Sequence, residues 1–239
     1  MAREQMIPQD IMSDAERALR SATIPPRCKL RAGRDAVSSL LREAYMAQVR
    51  MRGGVPEMDG CTVERIAKTA RWLTDGSSKP MLLLYGGVGN GKTTMAAAVR
   101  GMHEALAAGI ERRIQDTSDR RLRDALHDMR DSLPQPVMMT AQSLAYMATS
   151  DRAAFEKAAA VGFLIIDDMG CEPVAVKNWG TEITPLTDIL YRRYDGMMTT
   201  VVTTNFSKRD IRANYGARVA DRFNEVFETI GYTNESYRK

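Results

Sequence analysis

Apolar positions along this chain switch between two periods, and the switches mark out the elements. Residues 10–22 carry apolar side chains at helical spacing and stop at Pro25-Pro26. Residues 35–51 place Val37, Leu40, Leu41, Ala44, Tyr45 and Val49 on one helical face, until Gly53-Gly54-Val55-Pro56 breaks the pattern. A boundary there predicts a small helical region over 1–55, a candidate partner-binding segment, and a main domain over 56–239. Thr62 reads as the N-cap of the next helix, with Val63, Ile66, Ala67, Ala70 and Leu73 as its buried stripe. The unbroken run 81–85 has the length and branching of a buried strand. The helix after it shows Met95, Val99, Met102 and Leu106 at spacings of three and four and is predicted to end near Ala108, at Gly109.

Arginine and aspartate crowd residues 111–131, which predicts a solvated helix face laced by i,i+4 ion pairs. Strands follow at 137–140, 163–167, 199–204 and 229–232. Helices are expected at 142–147, from Thr184-Pro185 to Tyr194, from the Ser207-x-x-Asp210 capping box, and over 217–228. Strands alternating with helices predict an α/β fold: a parallel five-stranded sheet with helices on both faces.

Composition changes this picture little. The 239 residues are 44% hydrophobic and 27% charged, ordinary for a folded domain with a full core. No apolar run approaches the roughly 18 residues of a membrane span, and the polar N-terminus lacks a secretory pattern. A cytoplasmic protein without membrane contact is expected. The three cysteines, Cys28, Cys61 and Cys171, form no C-x-x-C pair, so neither a disulfide framework nor a zinc site is indicated. A net charge of +4, from 34 basic and 30 acidic residues, leans only slightly toward polyanions. Met81, Met138, Met139, Met197 and Met198, among 16 methionines, read as packing residues.

The chemistry is concentrated in Gly86-Gly87-Val88-Gly89-Asn90-Gly91-Lys92-Thr93, a G-x-x-x-x-G-K-T sequence between a predicted strand and a predicted helix that carries on through Thr94. In that context the loop amides and the helix N-terminus cradle phosphate. Lys92 reaches β- and γ-phosphates, and the Thr93 hydroxyl ligates Mg²⁺. The expected ligand is therefore a nucleoside triphosphate with Mg²⁺. The strand 163–167 ends in Asp167-Asp168. Asp167 is placed to hold the metal, and Asp168 to orient or deprotonate the attacking water. Asn205, at the end of a third strand, can sense the γ-phosphate or serve simply as a turn residue. Arg218 and Arg222 share one face of the last helix, suited to a transferring phosphoryl group or to a surface ion pair with Asp221 or Glu225.

Taken together these motifs resemble the DnaC/IstB branch of the AAA+ ATPases, which includes replicative helicase loaders and transposition helper ATPases. Gly86 to Thr93 is similar to Walker A and Phe163 to Asp168 to Walker B. Tyr191-Arg192-Arg193-Tyr194-Asp195 resembles the branch's R-Y-D segment, and Thr203-Thr204-Asn205 its sensor 1. Tyr215 to Phe223 resembles its G-x-R-V-x-D-R segment, Ser236-Tyr237-Arg238 its terminal S-Y-R, and Ile24-Pro25-Pro26-Arg27 its I-P-x-R element.

The resemblance implies a P-loop AAA+ core without a C-terminal lid, forming a homo-oligomer with ATP at subunit interfaces. It makes Arg222 the preferred arginine finger acting in trans, Arg218 the second candidate, and Arg238 a sensor-2-like contact. It implies an ATPase stimulated by DNA, preferentially single-stranded, or by a partner, either a replicative helicase or a transposase, and the shorter reach of Asp168 makes slow hydrolysis the expectation. Asp168 stands where many AAA+ proteins have glutamate, one methylene longer. A small-molecule P-loop kinase and a non-hydrolysing, ATP-locked scaffold are the other readings weighed.

Overall fold

The computed structural model describes residues 9–20, 28–178, 181–234 and 236–237. Five parallel strands form one sheet in the order β2-β3-β6-β1-β7. They are β1 (Met81–Gly86), β2 (Val137–Thr140), β3 (Phe163–Met169), β6 (Thr199–Thr204) and β7 (Phe227–Tyr232). The expected parallel five-stranded sheet is present. Because every pairing is parallel, all five C-terminal ends lie on one rim, where ligands of such sheets bind.

Each face of the sheet is covered by helices. One core packs Leu82, Leu84, Ile165 and Val201 against α2 (Arg34–Met51), α3 (Gly60–Thr74) and α4 (Lys92–Asp116). The other packs Leu83, Leu164, Ile166 and Val202 against α6 (Ala141–Ser150), α7 (Arg152–Ala160), α8 (Pro185–Asp195), α9 (Lys208–Tyr215) and α10 (Ala217–Val226). Alternate residues of the same strand serve opposite cores, so the central strands read as unbroken apolar runs. Val37, Leu41 and Tyr45 of α2 belong to the first core together with Met95 and Val99 of α4. α1 (Gln9–Arg20) covers the first predicted helix as far as the described residues run.

Several expectations are corrected. The N-cap of α3 is Asp59, whose carboxylate accepts from Thr62 N at 2.6 Å; Thr62 lies inside the helix. Its buried face is Thr62, Arg65, Ile66, Thr69, Ala70, Trp72 and Leu73, while Ala67 is exposed and Val63 is 46% exposed. Periodicity favoured Val63 because it could not foresee that Arg65 is drawn inward by a carbonyl of β7. α4 continues through Gly109 to Asp116. A glycine costs a helix only about 1 kcal/mol, which packing of α4 against α2 and α5 (Arg120–Ser132) outweighs.

The 111–131 segment is two helices with a break at 117–119. Among its described residues the ion pairs are Arg130 with Glu111 at 3.3 Å, across the α4–α5 hairpin, and with Asp131 at 2.9 Å. Neither is an i,i+4 pair. α7 and a small antiparallel hairpin, β4 (Val176–Asn178) with β5 (Thr181–Ile183), had no signal in the apolar pattern. The Ser207/Asp210 capping box and Pro185 at the start of α8 are as expected. Met81 is buried in the core as expected, whereas Met138, Met139, Met197 and Met198 are half-buried at its edges. Among the described residues no helix is long and apolar enough to cross a membrane, and no three or more His, Cys, Asp or Glu side chains gather as a metal site.

Candidate active site

The glycine loop leaves β1 at the ligand-binding rim and enters α4 at Lys92. Gly86, at φ +136°, lies so close to β7 that a Cβ would sit 2.1 Å from the Tyr232 carbonyl oxygen. Gly91, at φ +96°, serves as the left-handed N-cap of α4, and a Cβ there would fall 2.8 Å from the Tyr45 hydroxyl. No side chain fits at either point. Val88 stands exposed at the tip, whereas Asn90 is buried. Asn90 Nδ2 donates to Tyr232 O at 2.8 Å, and its Oδ1 accepts from Lys92 Nζ at 3.1 Å. Its side chain is thus a brace between loop and sheet, leaving only its backbone for a phosphate. Lys92 also donates to Gly86 O at 2.9 Å and to Gly87 O at 2.5 Å. Its ammonium group therefore lies inside the cradle, where phosphate oxygens can compete for it.

Thr93, the first hydroxyl of α4, donates to Asp167 Oδ1 at 3.0 Å. Thr203, fully buried on β6, donates to the same oxygen at 2.6 Å and accepts from Asp168 N at 2.9 Å. Three elements, α4, β3 and β6, whose contributing residues lie 74 and 36 positions apart in the chain, thus meet at one carboxylate. Burial raises the Asp167 carboxyl above its ordinary range, and the neighbouring Asp168 adds to this. Hydrogen bonds from Thr203 and Thr93, and the charge of Arg52, pull it back down. Two carboxylates and a hydroxyl are hard oxygen donors of the kind Mg²⁺ takes, and a nearby cation relieves the cost of burying Asp167.

Asp168 has φ +56°, the left-handed region, and the β3–β6 register shifts between Ile166 and Met169. Such a conformation costs an ordinary residue roughly 1–2 kcal/mol. It turns the second acid out of the strand alternation that would otherwise send it to the opposite face. Asn205 follows Thr204, which pairs with Tyr85 on one side and Met169 on the other, so Asn205 lies exposed on the rim just past the loop's first residue.

Other expected site residues lie elsewhere. The Thr94 hydroxyl accepts from Arg52 Nη1 at 2.5 Å and so faces the end of α2. Arg222 sits between the rings of Tyr191 and Tyr194, 4.4 Å from each centroid, with Asp195 at 3.9 Å. Neither of the ion-pair partners expected for it, Asp221 or Glu225, is the one it meets. Arg218, a turn earlier on α10, is exposed, with no hydrogen bond or ion pair among the described residues. Arg193, beside the tyrosines, is fully buried and donates to Thr200 Oγ1 and to the carbonyls of Ala159, Val161, Gly162 and Thr199. It is a structural strut, with burial lowering its pKa to about 10. Arg238 and the Ile24–Arg27 element lie outside the described residues.

Sequence reasoning missed Arg52, Thr203 as a bridge between the acids, and Tyr237. The Tyr237 amide donates to Gly89 O at 3.0 Å, and its hydroxyl donates to Asp59 Oδ2 at 2.8 Å. That hydroxyl also lies 3.1 Å from Thr62 Oγ1, and the ring packs beside Gly91. The terminal S-Y-R resemblance marked this segment, though for its arginine and not for its tyrosine.

No protein-family model matches the chain, and neither does any curated protein. Solved structures do. The DnaC helicase loader matches at 15% identity over 74% of this chain and 93% of that chain, TM-score 0.51. DnaI matches at 18% identity over 82% of this chain and 93% of that one, TM-score 0.50. A protein from Streptococcus pyogenes serotype M3, provisionally described as a primosome component, matches at 16% identity over 84% and 98%, TM-score 0.51. Identities this low carry the fold alone. The chain therefore shares the fold of the DnaC helicase loader and DnaI, a P-loop α/β fold built on a five-stranded parallel sheet.

Proposed function

We propose that this protein binds and hydrolyses Mg²⁺-ATP as a homo-oligomer and acts in DNA replication as a helicase-loader-type switch. The observation that carries the ATPase reading is the meeting of Thr93, Asp167 and Thr203 beside the Lys92 cradle. A chance glycine turn has no reason to be hydrogen-bonded to a buried carboxylate at the end of another strand.

In this reading the loop amides from Gly86 to Thr93 and the Lys92 ammonium hold the phosphates. Thr93 and Asp167 would hold Mg²⁺, which would neutralise charge on the phosphate oxygens. Asp168, turned outward by its left-handed backbone, orients the attacking water and takes its proton. Asn205 contacts the γ-phosphate from the same rim. Arg218, exposed on α10, and Arg222, held between the α8 tyrosines, serve the site of a neighbouring subunit. The loader role rests on the fold shared with DnaC and DnaI and on the motif order. Its partners in this reading are a replicative helicase and single-stranded DNA.

The test is phosphate release with and without DNA. Lys92→Ala and an Arg218→Ala/Arg222→Ala double variant are each expected to be inactive. Mixing the two should restore activity, because one supplies the cradle and the other the arginines. A wild-type protein that releases no phosphate refutes the ATPase reading, an active Lys92→Ala protein refutes the Lys92 cradle, and inactive mixtures refute the shared site.

A further inference from the structure

Glu172 is buried, four residues beyond Asp168, in the turn that follows β3. Its Oε2 accepts from Gly170 N at 2.8 Å, and its Oε1 accepts from the Tyr215 hydroxyl. The Cys171 amide closes the same turn onto Asp168 O at 3.1 Å. Gly170, at φ +103°, has the Phe206 ring against it, and a Cβ there would lie 2.7 Å from that ring. Phe206 directly follows Asn205, and its ring lies 6.4 Å from that of Tyr215. Its amide donates to Thr204 Oγ1 at 3.0 Å, and that hydroxyl donates to Met169 O at 2.7 Å. Tyr215 is the last residue of α9, and Gly216 after it, at φ +87°, is the N-cap of α10, which carries Arg218 and Arg222.

One small knot therefore joins three segments: the acidic turn, the strand end with Asn205, and the start of the arginine helix. A buried carboxylate held by two donors is an expensive way to fill space, since an apolar pair of the same volume packs at lower cost. What the carboxylate adds is direction. Burial and the adjacent Glu172 push the Tyr215 hydroxyl's pKa well above its ordinary value, so it stays a donor. Its bond fixes the α9–α10 corner against the turn that begins at Asp168.

We infer that Glu172 and Tyr215 are positioning residues that set the arginines of α10 for a neighbouring subunit's nucleotide, from the acidic turn of their own site. This rests on the shared-site ATPase reading. When the turn at Asp168 shifts, the α9–α10 corner shifts with it, so the state of one site reaches the next through a single hydrogen bond.

Tyr215→Phe removes the hydroxyl and keeps the ring packed on Phe206. It is expected to lower kcat about tenfold, the effect of one charge-assisted hydrogen bond, while affinity for a fluorescent ATP analogue stays within about twofold. Glu172→Gln should show the same split. Mixing decides the direction of action. Tyr215→Phe retains a working cradle, so Lys92→Ala subunits, whose arginines are intact, should restore its turnover; the double arginine variant should not. Rescue by the arginine variant alone, or unchanged kcat in both single variants, overturns the inference. A wild-type protein that fails to turn ATP over sinks the underlying ATPase reading instead.

Discussion

Thr203→Val tests the centre of the site without any assumption about ligand. Thr203 is fully buried; its hydroxyl donates to Asp167 Oδ1 at 2.6 Å and accepts from Asp168 N at 2.9 Å. Valine has the same shape and neither bond. Losing a hydrogen bond to a charged group costs about 1.5–3 kcal/mol, and leaving an amide without an acceptor costs about 1–3 kcal/mol more. Partial relaxation of the exposed rim reduces the sum to about 2–4 kcal/mol, or roughly 5–15 °C in Tm for a chain of this size. Urea titration in the absence of divalent cation measures it directly, with Thr203→Ser as the control that keeps the hydroxyl.

The pH dependence has a definite sign. Asp167 is raised by burial, so its contribution to stability is complete below the ordinary carboxylate range and is lost as pH rises through its native value. Removing the Thr203 donor raises that value further, so the Thr203→Val deficit should be smallest within the ordinary carboxylate range and grow as pH rises through the raised native value. A variant within about 0.5 kcal/mol of wild type at all pH values would refute the bridge.

Three further outcomes are expected. Arg193→Lys should lose about 3 kcal/mol in the same titration, because one ammonium cannot satisfy the acceptors that the guanidinium spans; an unchanged midpoint would show that water replaces it. Tyr237→Phe loses the hydroxyl contacts with Asp59 and Thr62 but keeps its ring beside Gly91, and ATP-analogue affinity should fall about three- to tenfold. Unaltered affinity would separate the C-terminal segment from the loop. Arg222→Ala should cost about 1 kcal/mol of stability through its lost tyrosine contacts, whereas Arg218→Ala should cost none; equal melting curves would remove the distinction between the two arginines.

The site was legible wherever chemistry is written into contiguous residues. The glycine loop needs backbone freedom at fixed spacings, and an apolar strand ending in Asp167-Asp168 announces its rim, so both could be read directly. Thr203 could not be read in its role, because a buried strand threonine looks the same whether it packs or bridges two acids. Arg218 and Arg222 were found as a pair four residues apart, but the tyrosine sandwich around Arg222 depends on how α8 lies against α10. Arg193 was seen only as part of the R-Y-D-like segment, and its role as a buried strut could not be read, since side-chain burial is not encoded locally.

The sequence by itself determined the five strands of the main sheet, that they run parallel, and where the phosphate loop lies, because hydrophobic period and glycine placement are local properties. Tertiary structure alone decided that Asp59 rather than Thr62 caps α3, that α4 runs on through Gly109, and that Glu172 meets Tyr215 forty-three residues away. Those outcomes depend on which faces are pressed together. Packing energies of several kcal/mol override propensities of about 1 kcal/mol, and a hydrogen bond between distant segments exists only once the sheet has brought their ends to a common rim.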